Sequence, residues 1–202
     1  MRVGFEFQNA SSRPLHFLRS NLVNKQGSRL APLLLVLFFL AANTALGQGA
    51  IVLVRHADRA SSADDSLLSK AGEQRAQCLA STLKDANLGA VFATDVRRTQ
   101  QTAAPVATEF HIETRIIPKA DTAELLTQLK HNGGKPVLVV GHSDTLPDIV
   151  QRLGAGPIPR FGEREYDRMI LVPVVGGQAQ PAIILHYCTQ PTDAAGIDRS
   201  MH

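Results

Sequence analysis

Two short apolar runs, rich in β-branched residues, constrain the fold of this chain more than any other sequence feature. They cover residues 51–54 and 137–140, and neither contains a polar residue. A strand that is apolar at every position is typical of a parallel sheet buried on both faces. Because helix-period segments alternate with these runs, the pattern predicts a three-layer α/β/α fold, with a mostly parallel central sheet and helices on both faces. Residues 169–172 and 183–185 are predicted to close the sheet as an antiparallel hairpin through Gly176-Gly177.

Capping residues and apolar spacing place the helices between these strands. Ser69 is expected to cap a first helix, because its hydroxyl can accept an N–H group that a helix start leaves unpaired. A second helix is expected over residues 98–110, with a kink or a late start at Pro105. Thr122 is expected to cap a short third helix, and a fourth is expected over residues 146–153.

The N-terminal 47 residues have the layout of a secretory signal peptide. Arg29 precedes an apolar run over residues 30–42, and Ala45-Leu46-Gly47 places small residues at the −3 and −1 positions of a cut before Gln48. We therefore expect a leader over residues 1–47, one domain over residues 48–202, and a periplasmic or secreted location. The alternative is an uncleaved membrane anchor formed by residues 30–47. The apolar run is shorter than the roughly 18–20 residues that span a bilayer comfortably.

The charge of the chain is concentrated in this leader. Residues 1–47 contain five of the 21 basic residues and one of the 18 acidic residues, so 16 basic and 17 acidic residues remain. The remaining domain is close to neutral, which argues against nucleic acid as a partner and limits anion binding to a local pocket. A membrane partner is expected only if the leader is uncleaved, and the sequence leaves the oligomeric state open.

Two cysteines, Cys78 and Cys188, lie in the expected domain. In an exported protein they can form a disulfide, and two buried thiols fit the sequence equally well. Neither cysteine has a histidine at metal-ligand spacing, so the sequence predicts no metal site.

A histidine lies two residues past the end of each apolar run. The two segments are Arg55-His56-Ala57 and Gly141-His142-Ser143. Because the carboxyl ends of parallel strands meet at one edge of a sheet, these side chains are expected to share a crevice. Arg98, at the start of the expected second helix, adds a second fixed positive charge. Two imidazoles and two guanidiniums in one cleft suit a phosphate dianion, with one histidine available to attack phosphorus.

The order and the amino-acid residues of these segments resemble those of the histidine phosphatase superfamily, also called the phosphoglycerate mutase-like family. The resemblance is carried by four segments, in the same order as in the family: Arg55-His56-Ala57, Leu68-Ser69-Lys70-Ala71-Gly72-Glu73-Gln74-Arg75-Ala76, Arg98-Thr99-Gln100-Gln101-Thr102-Ala103 and Gly141-His142-Ser143. It covers residues 50–187. One such motif alone would be weak, but four in order make the resemblance specific.

The resemblance implies a role for each matched residue. His56 is the expected nucleophile, which forms a phosphohistidine that water later hydrolyses. Arg55, Arg98 and His142 are expected to bind the phosphoryl oxygens, and neighbouring Arg97 is expected to face solvent. No cofactor and no metal ion are expected.

Two further residues are candidates on position alone. Asp144 follows His142 by two residues and is the best local candidate for the acid that protonates the leaving group, although it can equally cap the helix that starts near Thr145. Arg59 is expected either to reach the pocket rim and bind substrate or to form a surface salt bridge with one of three nearby acids, which are Asp58, Asp64 and Asp65.

The sequence therefore predicts a metal-independent phosphatase that hydrolyses small phosphomonoesters through a phosphohistidine. Two alternatives stay open. One is a protein phosphohistidine phosphatase, and the other is a catalytically silent phosphate-binding module. The pairing of His56 with His142 favours an enzyme.

Overall fold

The computed structural model of the protein describes residues 49–131 and 134–188. The leader expected over residues 1–47 lies outside the described residues. Within them, seven strands and four helices follow one another, and they are β1 (Gly49–Arg55), α1 (Lys70–Leu83), β2 (Ala90–Thr94), α2 (Arg97–Glu109), β3 (Thr114–Ile117), α3 (Thr122–Lys130), β4 (Val137–Gly141), α4 (Leu146–Arg152), β5 (Arg168–Val175), β6 (Gln178–Ala179) and β7 (Ile183–His186). No helix in the described part of the chain is both long and apolar enough to cross a bilayer.

The strands form one mixed sheet in the order β3-β2-β4-β1-β5-β6, and β7 also pairs with β5. The four strands β3, β2, β4 and β1 are parallel to one another, whereas β5, β6 and β7 are joined by antiparallel pairs. The predicted α/β fold is therefore confirmed, with the parallel part of the sheet at its centre and at the β3 edge. All four parallel strands direct their carboxyl ends to the same side of the sheet.

Each face of the sheet has its own apolar core. Alternate residues of the central strands point to opposite faces, so Ile51 and Leu53 of β1 pack on one side and Val52 and Val54 on the other. Helices α3 and α4 cover the first face. Helices α1 and α2 cover the second face. The predicted three layers are thus present.

The helix starts differ in part from the sequence expectations. Ser69 caps α1 as predicted, since its Oγ accepts the N–H of Gly72 at 3.1 Å. The prediction for α3 was wrong, because Thr122 is the first helical residue and the cap is Asp121, whose carboxylate accepts the N–H of Glu124 at 3.0 Å. An aspartate is a stronger N-cap than a threonine.

Helix α2 also departs from expectation. It begins at Arg97 and contains Pro105, so of the two effects expected of this proline, a kink or a late start, the late start does not occur. Ala103 and Val106, on either side of the proline, are fully buried, and their packing holds the helix together despite the lost N–H group.

The predicted hairpin is divided between three strands. The turn through Gly176-Gly177 joins β5 to the short strand β6, and both glycines have positive φ values of 59° and 77°. Strand β7 pairs with the other half of β5. The structure also decides between the two alternatives for the cysteines. Cys78 of α1 and Cys188, two residues after β7, form a disulfide.

Candidate active site

The carboxyl ends of the parallel strands bring together the side chains that the sequence singled out. Arg55 is the last residue of β1, and His56 follows it. His142 follows β4, and Arg98 lies in the first turn of α2. The rings of His56 and His142 are 5.4 Å apart between centroids. All four side chains are buried, with relative exposures between 3% and 9%.

The ring of His56 is held in a single tautomer by its own loop. Its Nδ1 lies 2.8 Å from the carbonyl oxygen of Ala57. A carbonyl oxygen can only accept, so Nδ1 carries the proton and the lone pair lies on Nε2. Burial lowers the pKa of His56 to about 4, against a raising effect of the Ala57 carbonyl, and the charge of Arg98 lowers it further. The imidazole is therefore neutral at pH 7 with Nε2 as its nucleophilic atom.

The loop after His56 is tied to both helices on this face of the sheet. The N–H of Ala57 donates to Oγ1 of Thr102 in α2 at 2.9 Å. The carbonyl of Asp58 accepts the N–H of Ser69, the cap of α1, at 2.9 Å. Gly72 approaches this carbonyl so closely that a Cβ on it would lie 2.2 Å from the Asp58 oxygen. Ser69, Gly72 and Thr102 thus fix the loop that carries the nucleophile.

One nitrogen of Arg55 is used to hold the guanidinium in place. Its Nη1 donates to the carbonyls of Gly162, Glu163 and Glu165 at 3.0–3.2 Å. Among the described residues, the other two nitrogens have no hydrogen-bond partner, and Nε is buried. Burial lowers the pKa of Arg55, which remains charged at any ordinary pH. Two donors of a fixed cation are therefore left for an anion.

Arg98 and His142 form a single hydrogen-bonded unit. Nη2 of Arg98 donates to Nδ1 of His142 at 3.3 Å, and Nε2 of His142 then donates to Oγ1 of Thr94 at 3.0 Å. Nη1 of Arg98 also donates to the carbonyl of Asp64. Burial is the main cause that lowers the pKa of His142 to about 3, followed by the charges of His56 and Lys119. His142 is therefore neutral at pH 7, and a dianion bound beside it would favour its protonation.

The two remaining arginines of this region are in different settings. Arg59 is exposed, and its charge lowers the pKa values of Arg55, His56 and Arg98, which places it on the rim of the site. The alternative salt bridges are not formed, because within the described residues Asp58 pairs with Arg75 and Asp65 pairs with Arg97. Arg97 is exposed as expected.

Asp144 lies at the rim and is paired with Lys119. Nζ of Lys119 lies 3.0 Å from the Asp144 carboxylate, whose side chain is 63% exposed. Burial alone would raise the pKa of Asp144, but the hydrogen bond and the charge of Lys119 outweigh it and lower the pKa. The alternative role is not seen, because the N-cap of α4 is Thr145.

Three residues of the site carried no sequence motif. Thr94 and Lys119 lie at or just after the carboxyl ends of β2 and β3, so the same strand-end argument that found the histidines applies to them. Tyr166 stands next to Arg55, whose Cζ is 4.1 Å from the ring centroid. Tyr166 is distant in sequence from every motif, and no sequence signal pointed to it.

Residues 51–125 match the family model of the histidine phosphatase superfamily (branch 1). The resemblance to this superfamily is therefore confirmed over residues 51–125, which contain three of the four motif segments. It is similar to the solved structure of the protein histidine phosphatase SixA in complex with tungstate, with a TM-score of 0.58 and 20% identity over 68% of this chain and 96% of that one. It is also similar to the alpha-ribazole phosphatase of Shigella flexneri, with a TM-score of 0.56 and 16% identity over 68% of this chain and 96% of that one.

A third similar structure is a mycobacterial glucosyl-3-phosphoglycerate phosphatase, with a TM-score of 0.52 and 12% identity over 71% of this chain and 100% of that one. At these identities the structural likeness establishes the fold. No sequence among the curated proteins matches this chain. The match to the superfamily model and the convergent side chains together identify the cleft around His56 as the candidate active site of a hydrolase.

The two buried histidines are expected to make the fold sensitive to mild acid. Their pKa values of about 4 and about 3 lie below the ordinary value of 6.5, so the unfolded chain binds protons that the folded chain does not. The free energy of unfolding should therefore fall as the pH falls from about 6.5 to about 4, by an amount on the order of a few kcal/mol. Urea unfolding at a series of pH values measures this slope.

The double variant His56→Gln/His142→Gln is expected to flatten that slope, because glutamine has no proton to gain. His131→Gln, at the exposed end of α3, is the matched control. An unchanged slope in the double variant would contradict the assignment of two neutral buried imidazoles.

Proposed function

We propose that this protein is a phosphatase that hydrolyses small phosphomonoesters through a phosphohistidine at His56. The observation that carries the proposal is the hydrogen bond from Nδ1 of His56 to the Ala57 carbonyl, which leaves a neutral Nε2 close to the buried guanidiniums of Arg55 and Arg98. A neutral imidazole with a fixed free lone pair is the form that can attack phosphorus.

The proposed reaction has two displacements on phosphorus. In the first, the lone pair of His56 Nε2 forms a P–N bond while the P–O bond to the leaving group breaks. The leaving oxygen keeps the electron pair and takes up a proton. In the second, water forms a new P–O bond and loses a proton, the P–N bond breaks, and inorganic phosphate and neutral His56 are released.

The remaining side chains stabilise the charge of the phosphoryl group. Arg55 offers Nε and Nη2, which have no partner in the described part of the chain. Arg98 is hydrogen-bonded to His142, which becomes a charged donor once the dianion favours its protonation. Arg59, at the rim, adds a longer-range attraction for the anion.

The same arrangement supports metal independence. Two guanidiniums supply the fixed positive charge that phosphoryl transfer requires, so we propose that activity persists in the presence of a chelator. We further propose that the domain acts outside the cytoplasm after cleavage of the leader before Gln48.

A second candidate, a phosphohistidine phosphatase, is favoured by the state of Asp144. Lys119 lowers the pKa of this carboxyl and keeps it ionised at neutral pH, which weakens it as a proton donor. An imidazole leaving group can carry its own proton, so cleavage of a P–N bond makes less demand on an acid. The similar structure of SixA is described as that of a protein histidine phosphatase.

His56→Ala is expected to abolish turnover and labelling. A ³²P-labelled phosphomonoester should label the wild-type protein rapidly, and the label should be lost in acid and kept in base, as expected for a P–N bond. The variant should retain the circular dichroism spectrum of the wild type, because the His56 side chain serves the reaction and is not needed for folding. Activity of His56→Ala within tenfold of wild type would contradict the assignment of His56 as the nucleophile. Oxyanion binding by the wild-type protein without any turnover would favour the catalytically silent phosphate-binding module.

Arg98→Ala is expected to weaken transition-state binding strongly, whereas the adjacent Arg97→Ala is the matched control. Arg98 is buried against His142, and Arg97 is exposed and only pairs with Asp65 at 3.8 Å. By analogy with the loss of one oxyanion donor, Arg98→Ala should reduce kcat by about 10²–10³. Equal losses in both variants, measured as kcat/KM for one ester, would show that the wrong arginine is assigned.

Asp144→Asn separates the two candidates through its dependence on the leaving group. If Asp144 protonates the leaving oxygen, the variant should lose about 10²–10⁴ in rate on an alkyl phosphate and little on p-nitrophenyl phosphate. Because the pKa of Asp144 is lowered, this loss should grow as the pH falls.

Lys119→Met removes the charge that lowers the pKa of Asp144, so it should move the acid-dependent rise in rate to higher pH. Equal losses on both esters would show that Asp144 is structural. No loss on either ester, together with rapid cleavage of phosphohistidine, would favour the second candidate.

A further inference from the structure

The aromatic ring of Tyr166 lies beside the nucleophile, although no step of the proposed reaction uses it. Its centroid is 5.9 Å from that of His56, with the two planes tilted by 50°. The guanidinium of Arg55 stacks on the same ring at 4.1 Å. Tyr166 is half-buried, so this residue keeps some contact with solvent close to the nucleophile.

The loop that carries Tyr166 is held rigid by a buried arginine. Nε and Nη2 of Arg168 donate to the two carboxylate oxygens of Glu165 at 2.6 and 2.7 Å. Nη1 of Arg168 donates to the carbonyl of Pro159 at 2.7 Å, and its guanidinium lies 4.5 Å from the ring centroid of Phe161. Arg168 is only 8% exposed. All three side-chain nitrogens of Arg168 therefore donate hydrogen bonds within this loop.

The same loop is also fastened to the site from the other side. Arg55 binds its carbonyls at Gly162, Glu163 and Glu165, and the Glu165 carboxylate accepts the N–H of Gly162 at 2.7 Å. Tyr166 therefore sits between two anchored points. A side chain supported in this way is positioned in advance of binding.

The geometry of in-line transfer brings the leaving group near this ring. Phosphorus must lie roughly 3–3.5 Å from Nε2 of His56 before attack, and the leaving oxygen lies beyond it on the opposite side. The Tyr166 ring lies 5.9 Å from His56 and stacks on Arg55, which is expected to bind the phosphoryl oxygens. A flat group bonded to the leaving oxygen can therefore contact this ring when it turns towards Arg55.

We propose that Tyr166 is a specificity-determining residue, whose ring stacks against a planar aromatic leaving group and so favours aryl or imidazolyl phosphates over alkyl phosphates. The proposal rests on the proposed phosphatase function and names the substrate class for that site. It assigns the effect to the ring. The Tyr166 hydroxyl makes no hydrogen bond within the described residues.

The test compares two substrates in four proteins. Values of kcat/KM for 1-naphthyl phosphate and for glycerol phosphate are measured with the wild type, Tyr166→Phe, Tyr166→Leu and Tyr166→Met. Loss of the ring also removes a stacking partner of Arg55, which weakens phosphate binding for every substrate. The ratio of the two kcat/KM values cancels this common effect, and the inhibition constant of sulfate measures it separately.

Tyr166→Leu and Tyr166→Met are expected to lower the naphthyl-to-glycerol ratio by about 3- to 10-fold, the range of one aromatic pair, while Tyr166→Phe keeps it within twofold. The two aliphatic variants are independent replacements for the ring, so the test stands if one of them fails to fold.

An unchanged ratio in the aliphatic variants overturns the proposal while phosphatase activity stands. A loss in Tyr166→Phe equal to that in Tyr166→Leu also overturns it, because the hydroxyl would then be responsible. No turnover of either ester by the wild type overturns the proposed function itself, and this proposal with it.

Discussion

The parallel pairing of β1 with β4 is the constraint on which the rest of the site depends. Its register places Val54 opposite Val140 and Arg55 opposite Gly141. The pairing continues one step past the strand, where the N–H of His56 donates to the carbonyl of Gly141 at 2.9 Å. The two strands therefore release their chains at the same level, which brings His56 and His142 side by side.

This register is secured by burial on both faces. Each central strand contributes alternate residues to two separate apolar cores, so a slip by one residue would exchange the two sets and leave gaps in both. The position of the two histidines is thus a by-product of how the sheet packs. The strands that form the two apolar cores also position the residues of the site. The polar side chains of the site lie where these strands end.

The site buries polar and charged groups, and this burial costs them hydration. Burial lowers the pKa values of His56, His142, Arg55 and Arg98 together. Backbone carbonyls offset part of this loss by accepting from Arg55, Arg98 and His56. The same loss of hydration strengthens the attraction between these groups and a phosphate dianion.

Sequence alone determined the layers of the fold, the two strands that a histidine follows, and the motif residues Arg55, His56, Arg98 and His142. These follow from apolar periodicity and from the rule that parallel strands share one open edge, both of which are local properties of the chain.

The sequence could not choose between Thr122 and Asp121 as the N-cap of α3, because the two residues are adjacent and either can cap the same turn. It also could not decide whether Cys78 and Cys188 pair, since 110 residues separate them. Only the tertiary structure decided the partners that lie far apart in sequence, such as the Ala57 bond to Thr102, the Lys119 pair with Asp144, and Tyr166 against Arg55. The physical reason is that hydrogen bonds, ion pairs and ring contacts act over a few ångströms, and such distances exist only once packing has folded the chain.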